Sequence, residues 1–288
     1  MTSIAPLVHS WTFEAIGTVW RIDAASPLDD GVRDQITDAI VAFDLEWSRF
    51  RAESLVSRLR TEGGEVPAPV DAVAMLDAYD ALDTATAGAV NPLVGDALAR
   101  RGYDADYSLV DRGVVSAPRN WRDLLVWSPE TLSLAEPALI DVGALGKGRL
   151  ADIVLELVPA GPAVVDAGGD IAVRAATQRI ALEHPYDASR AIGVWSVTDA
   201  ALCASAVNRR AWGDGLHHVL DARTGQPVRR YAATWAAASD AMTADAVATA
   251  LFFDGGPRLA AEWGAEWVRM GTDGSVEWSP RCEAELFS

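Results

Sequence analysis

The sequence predicts an α+β fold, a single domain in which helices pack against mixed or antiparallel sheets. Three observations predict it. Helical apolar spacing dominates about residues 25–120, short apolar runs broken by turn residues dominate the remainder, and no repeat, low-complexity tract or long linker divides the two. With 288 residues and 50% hydrophobic side chains, the chain has the apolar material for a sizeable core. We read residues 1–288 as that one domain, with at most a subdomain boundary near residue 120.

The elements follow in order. Residues 11–24 alternate as a strand, with Gly17 marking a bulge or a close approach. Val32, Ile36, Ile40, Phe43 and Trp47 recur at helical intervals, predicting an amphipathic helix that ends near Phe50. Two more helical stretches cover about 70–86 and 92–101. Beyond "NWRDLLVW" the runs "ALIDVG", "AVVDAGGDIAV", "RIALEHP" and "AIGVWSVTDAALCASAV" read as strands, several in hairpin-like succession. One helix, about 148–158, lies between the first two runs; a later one, about 243–253, buries Ala244, Val247, Ala248 and Leu251. "EWVRMG" and "GSVEWS" are the last predicted strands.

Charge narrows the function classes. The 41 acidic against 24 basic residues leave a net charge of -17, which repels nucleic acid and anionic membrane surfaces. The two cysteines, Cys203 and Cys282, stand far apart without metal-ligand spacing and read as buried thiols or bystanders, which fits a reducing compartment. Without a basic leader, a cleavage site or an apolar run of 18 residues, the expectation is a soluble, cytoplasmic protein with no membrane insertion.

Four stretches carry polar chemistry. "DVGALGKGRLAD" holds Lys147, the only lysine, between two glycines at the start of a helical pattern. Its glycine spacing fits neither a P-loop nor a dinucleotide fingerprint. Two readings stay open: a helix N-terminus facing an anion with Lys147 beside it, or a tight strand-to-helix turn with an exposed lysine. In "SDAMTADAVATALFF", Asp245 and Thr249 are four apart, so a carboxylate and a hydroxyl share one side of a helix. That pair suits a hard cation such as Mg²⁺, or is simply a polar stripe. In "HHVLDARTGQPV", Asp221 and Thr224 before Gly225 suit a tight turn, and His218 is either a general base or a structural histidine. "VVDAGGDI" sets Gly168-Gly169 after an apolar strand, for a close ligand approach or a plain turn.

Taken in order, the chain resembles the ApbE family, the FAD:protein FMN transferases. The family pattern runs Met-Gly-Thr, Ser-x-Tyr followed by Ser-x-x-Ser-Arg, Gly-x-Phe-Asp-x-Thr, Asp-Leu-Gly-Gly-x-x-Lys-Gly, Gly-Gly-Asp/Asn-Ile, His-x-x-Asp-Pro-Arg-Thr-Gly and Ala-Asp-Ala-x-x-Thr-Ala-Leu. Its counterparts here are "IGT" from Ile16, "SRFRAESLVSRLR" from Ser48, "AGAVNPLVG" from Ala87, "DVGALGKG" from Asp141, "GGDI" from Gly168, "HVLDARTG" from His218 and "ADAVATAL" from Ala244. The chain departs from the pattern at Ile16 for Met, Phe50 for Tyr, Asn91 for Asp, Ala222 for Pro, and "ASA" at residues 204–206 for Thr-Ser-Gly.

The resemblance implies a single flavin transferase domain that binds FAD and Mg²⁺ and moves FMN onto a Thr or Ser hydroxyl of an acceptor flavoprotein, releasing AMP. It implies Asp245, Thr249 and the backbone carbonyl of Ala144 as metal ligands. It places Ile16, Phe50, Gly88, Ala89, Val90, Asp141 and Lys147 against FAD, and His218 with Asp141 in the catalytic set, His218 taking the acceptor's proton. Two alternatives stand beside it. One is a Mg²⁺-dependent FAD pyrophosphatase, with water in place of the acceptor; the other is a non-catalytic flavin-binding protein.

Overall fold

A computed structural model describes residues 6–287. Its centre is an eight-stranded sheet in the order His9–Ala15, Thr18–Ala24, Ala163–Asp166, Asp170–Arg174, Ala201–Ala206, Tyr231–Ala238, Glu266–Gly271, Val276–Trp278. Every neighbouring pair is antiparallel. Residues 11–24, expected as one strand, are a hairpin: Ala15 faces Thr18 across a two-residue turn. Ile16 and Gly17 have φ of 42° and 72°, the left-handed pair that a tight hairpin of this twist requires.

Alternation along the strands separates two apolar layers. Ile22, Val165, Ala172, Cys203 and Ala236 face the helices. Their neighbours Val164, Val173, Leu202 and Trp235 face a long hairpin, Thr177–His184 with Asp187–Thr198, whose Ile180, Leu182 and Trp195 cover that side. The sheet is therefore buried on both faces, which explains why its strands read as apolar runs more than as clean alternation.

The helical layer holds Asp30–Trp47, Ala72–Ala85, Gly146–Leu157 and Ala241–Ala250. Asp29 caps the first of these, accepting from the Val32 amide. The helix Ala241–Ala250 is nearly all small residues and lies against the sheet with Ala241, Ala244, Ala246, Ala248 and Ala250 fully buried. Asp240 accepts from the Thr243 amide, and Asp152 accepts from the amides of Ala241 and Met242 at 2.8 and 2.9 Å. Asp152 belongs to Gly146–Leu157, so one helix caps the next.

Four elements differ from the sequence reading. Leu55–Glu62 is a further helix and Gly64–Pro67 a strand of a small sheet with Thr131–Leu134 and Leu125–Trp127. Gly256–Glu262 is a helix with proline in its first turn. Residues 138–143, expected as a strand, join no sheet, although Ala138, Leu139, Ile140 and Val142 are buried. Their polar backbone is satisfied by the 92–96 loop instead: the Asp141 amide donates to Pro92 O, the Gly95 amide to Leu139 O, and the Leu139 amide to Asp96 Oδ2. An apolar run needs burial, and a loop supplied it here.

Candidate active site

A cleft of about 850 Å³ opens where the hairpin turn, the 138–145 loop, the small-residue helix and residues 205–210 meet. Ile16, Phe50, Ala89, Val90, Asp141, Ala144, Lys147, His218, Asp245 and Thr249 all line it. Gly88 does not; it borders a separate pocket of about 350 Å³ beside Asp83, Ala117 and Arg223.

The glycines around Lys147 have separate jobs. A Cβ on Gly148 would sit 2.1 Å from Ala241 O and 2.7 Å from Asp245 Cβ, so glycine is what lets the two helices touch. At that contact the Gly148 amide donates to Asp245 Oδ2 at 3.0 Å. Lys147 is an ion-paired cleft residue: its ammonium contacts Asp170, whose side chain is fully buried. Burial alone would lower the lysine's ionisation, but the carboxylates of Asp170 and Asp245 outweigh it and raise it above the ordinary value. Asp245 is pushed the other way from a normal acid: burial and the Asp170 charge hold its ionisation well above the carboxylate range. Asp170 Oδ1 has no hydrogen-bond partner.

Two carboxyl groups thus share one ammonium, and the burial and repulsion that raise Asp245 are what a bound cation would relieve. The oxygens there fit Mg²⁺. Thr249 Oγ1 donates to Ala144 O at 3.2 Å, and Asp245 stands one turn before Thr249. Two oxygens at that spacing are the kind of donors a hard cation takes. Tyr79 fixes that carbonyl's loop: its hydroxyl donates to Asp141 O at 2.9 Å and accepts from the Ala144 amide at 3.2 Å. Among the described residues no group of three or more His, Cys, Asp or Glu is placed to hold a metal, and this donor set has a single carboxylate.

At the other end, Arg49 Nε donates to Asp141 Oδ2 at 2.5 Å and Nη1 to Tyr103 O at 2.6 Å, while Nη2 has no partner. Its guanidinium lies over Phe50 and Tyr103, 4.2 and 4.7 Å from the ring centres. Phe50 reaches the cleft but is already stacked on Tyr107 at 5.1 Å and set edge-on to Tyr103 at 5.3 Å. His218 sits beside this cluster, 6.4 Å from Tyr103 between ring centres. Its Nδ1 is buried without a partner, and burial, then Arg210, lower its ionisation to about 3, so the imidazole is neutral at pH 7. His217, by contrast, is tied to Val228 O and the Val219 amide and plays a structural part.

Two of the departures from the family pattern have local accounts. Asn91 donates from Nδ2 to Pro118 O and accepts the Leu93 amide, a pairing whose donor an aspartate lacks. Ala222 donates its amide to Ala89 O at 3.0 Å, which a proline cannot do. Asp221 organises the following turn through the Thr224, Gly225 and Arg223 amides.

Comparison with known proteins completes the picture. The ApbE family model matches residues 16–268. This chain belongs to the ApbE family. Two curated relatives named FAD:protein FMN transferase resemble this ApbE-family chain: that of Rhodobacter capsulatus is 29% identical over 69% of the chain, that of Treponema pallidum 28% over 70%. The matches span 42% and 65% of those relatives' own lengths. Among solved structures, the ApbE protein of Thermotoga maritima superposes with a TM-score of 0.81 at 22% identity, covering 94% of this chain and 97% of that one. The flavin transferase ApbE of Vibrio cholerae gives 0.78 at 21%, covering 94% and 97%. These likenesses show the ApbE fold.

Sequence reasoning missed Arg49, Tyr79, Tyr103, Tyr107 and Arg210 as cleft residues, and Asp170 as the buried partner of Lys147. Arg49 and Asp170 lay inside quoted motifs, as "SRF" and "GGDI". Tyr79 lies in the helical stretch read over about 70–86, while Tyr103, Tyr107 and Arg210 sit in stretches with no pattern; the tertiary fold brings all four into the cleft.

Proposed function

We infer that this protein transfers the FMN portion of FAD to a Thr or Ser hydroxyl of an acceptor flavoprotein, with Mg²⁺, releasing AMP. The observation that carries the reading is the part of the cleft where Asp245, Thr249 and the Ala144 carbonyl converge beside Lys147. The names of the two curated relatives support the same chemistry.

Asp245, Thr249 and Ala144 O would hold Mg²⁺, which supplies charge neutralisation at a diphosphate. Lys147 places its ammonium beside the same phosphates. The acceptor oxygen bonds to the FMN phosphorus as the bond to the AMP phosphate oxygen breaks, and the hydroxyl proton passes to the neutral imidazole of His218. Asp141, held by Arg49 and by the Gly143 amide, fixes the loop that presents Ala144. Ile16, Ala89, Val90 and Phe50 would border the flavin, with Gly88 behind them.

Incubation of the protein with FAD, Mg²⁺ and a candidate acceptor domain tests the reading. A covalent FMN adduct seen by mass spectrometry, with matching AMP, is expected. Asp245→Ala should abolish turnover with only partial loss of flavin binding. Rapid AMP release without acceptor would instead identify a pyrophosphatase, and flavin binding without any turnover a binding protein.

A further inference from the structure

Five cations line the cleft: Arg49, Arg51, Lys147, Arg209 and Arg210. Four have carboxylate partners: Asp141 for Arg49, Asp44 for Arg51, Asp170 for Lys147 and Glu183 for Arg209. Among the described residues Arg210 alone of the five has none. In a chain with 41 acidic and 24 basic residues, a cleft guanidinium without a carboxylate is not for want of acids.

Its one side-chain partner is neutral. Arg210 Nη1 donates to Tyr103 Oη, and burial pushes that phenol's ionisation up to about 12, so it carries no charge to offset the arginine. The Tyr103 ring lies between two cations, with Arg210 5.6 Å and Arg49 4.7 Å from its centre, and Arg49 also keeps a buried Nη2 without a partner. The Arg210 carbonyl accepts the His218 amide at 3.3 Å, which fixes this group beside His218. Within one cleft, Asp245 and Asp170 thus share a single ammonium, whereas the Arg210 guanidinium stands without a carboxylate.

We propose that Arg210 is a substrate-anchoring residue that binds a phosphate oxygen of the flavin dinucleotide, so that the diphosphate lies between Lys147 and Arg210 with His218 alongside. The proposal rests on the transferase reading and adds a recognition group to it. A planar guanidinium suits a phosphate because two parallel N–H groups meet two oxygens, and Tyr103 holds it oriented before the ligand arrives.

Calorimetric titration of the full chain in Mg²⁺ with FAD, FMN, riboflavin and inorganic pyrophosphate tests it. Arg210→Ala should weaken FAD binding about 10- to 100-fold, from the loss of a charge-assisted hydrogen bond, and leave riboflavin affinity unchanged. Arg210→Lys should fall between, and Tyr103→Phe, which keeps the guanidinium, should stay within about threefold of the unaltered protein. Riboflavin affinity and the melting temperature report whether each variant is folded, and Arg210→Gln replaces the alanine variant if that one is not.

Unchanged FAD affinity in Arg210→Ala, with Lys147→Ala weakened, overturns this proposal and leaves the transferase reading standing. An equal loss of riboflavin affinity also overturns it, by showing a packing role. So does a raised KM for the acceptor at constant FAD affinity, which would assign Arg210 to the acceptor. If the unaltered protein binds none of the phosphate compounds, both readings fall.

Discussion

The Gly148 amide donates to Asp245 Oδ2 at 3.0 Å across a helix contact that no other residue type would allow. Gly148→Ala must part the helices or strain them, because its methyl would start 2.1 Å from the Ala241 carbonyl oxygen. The expected cost is about 1–3 kcal/mol, as for other overpacked contacts. Urea denaturation should show the lower midpoint, and the proposed transferase turnover should fall further than stability does, because Asp245 loses its alignment. An unchanged midpoint would contradict the contact.

The pair of Lys147 with the fully buried Asp170 gives a second expectation. Lys147→Ala strands a buried carboxylate and should destabilise the fold by about 3–5 kcal/mol, the usual penalty for breaking such a pair from one side. Adding Asp170→Asn removes the stranded charge. The double variant should recover most of the stability, measured by thermal unfolding, while turnover stays low because the ammonium is still missing. A double variant no more stable than the single one would mean that the two side chains are not coupled.

His218 sets a pH expectation. Its conjugate acid is depressed to about 3, first by burial and then by Arg210, so lowering the pH from 7 to 5 leaves it neutral in the free protein. The acidic limb of kcat/KM assigned to His218 should therefore lie well below 6.5. A bound diphosphate offsets the fields of Arg210 and Lys147, so the corresponding limb in kcat should move to higher pH. His218→Ala should lower kcat by about 10²–10⁴-fold and remove both limbs. A limb near 6.5 in kcat/KM that vanishes in the variant would show the histidine to be solvated and ordinary.

Much of the fold was legible because burial wrote it into the sequence. Ile36, Ile40, Phe43 and Trp47 kept helical spacing since one face of their helix meets the core. Residues 138–143 misled for the same reason, since burial under a loop leaves the same apolar signature as burial in a sheet. Asp245, Thr249 and Lys147 were visible as motif residues, while Tyr79 and Tyr103 were not. Their roles depend on hydroxyl and carbonyl contacts with residues 62 and 54 positions away, as Tyr79 meets Asp141 and Tyr103 meets Arg49. No local window carries that information. The Asn91 and Ala222 departures were also opaque until the backbone partners at Pro118 and Ala89 were known.

The order of strands in the central sheet bears on how the chain is made. Thr18–Ala24 pairs on one side with its hairpin partner His9–Ala15 and on the other with Ala163–Asp166. On a ribosome adding about 5–20 residues per second, that second edge stays open for seconds until the later strand emerges. The small-residue helix that carries Asp245 and Thr249 emerges later still. A nascent chain therefore exposes an unpaired β-edge, the kind of surface that chaperones shield and that aggregation exploits, before it holds the helix that carries Asp245 and Thr249.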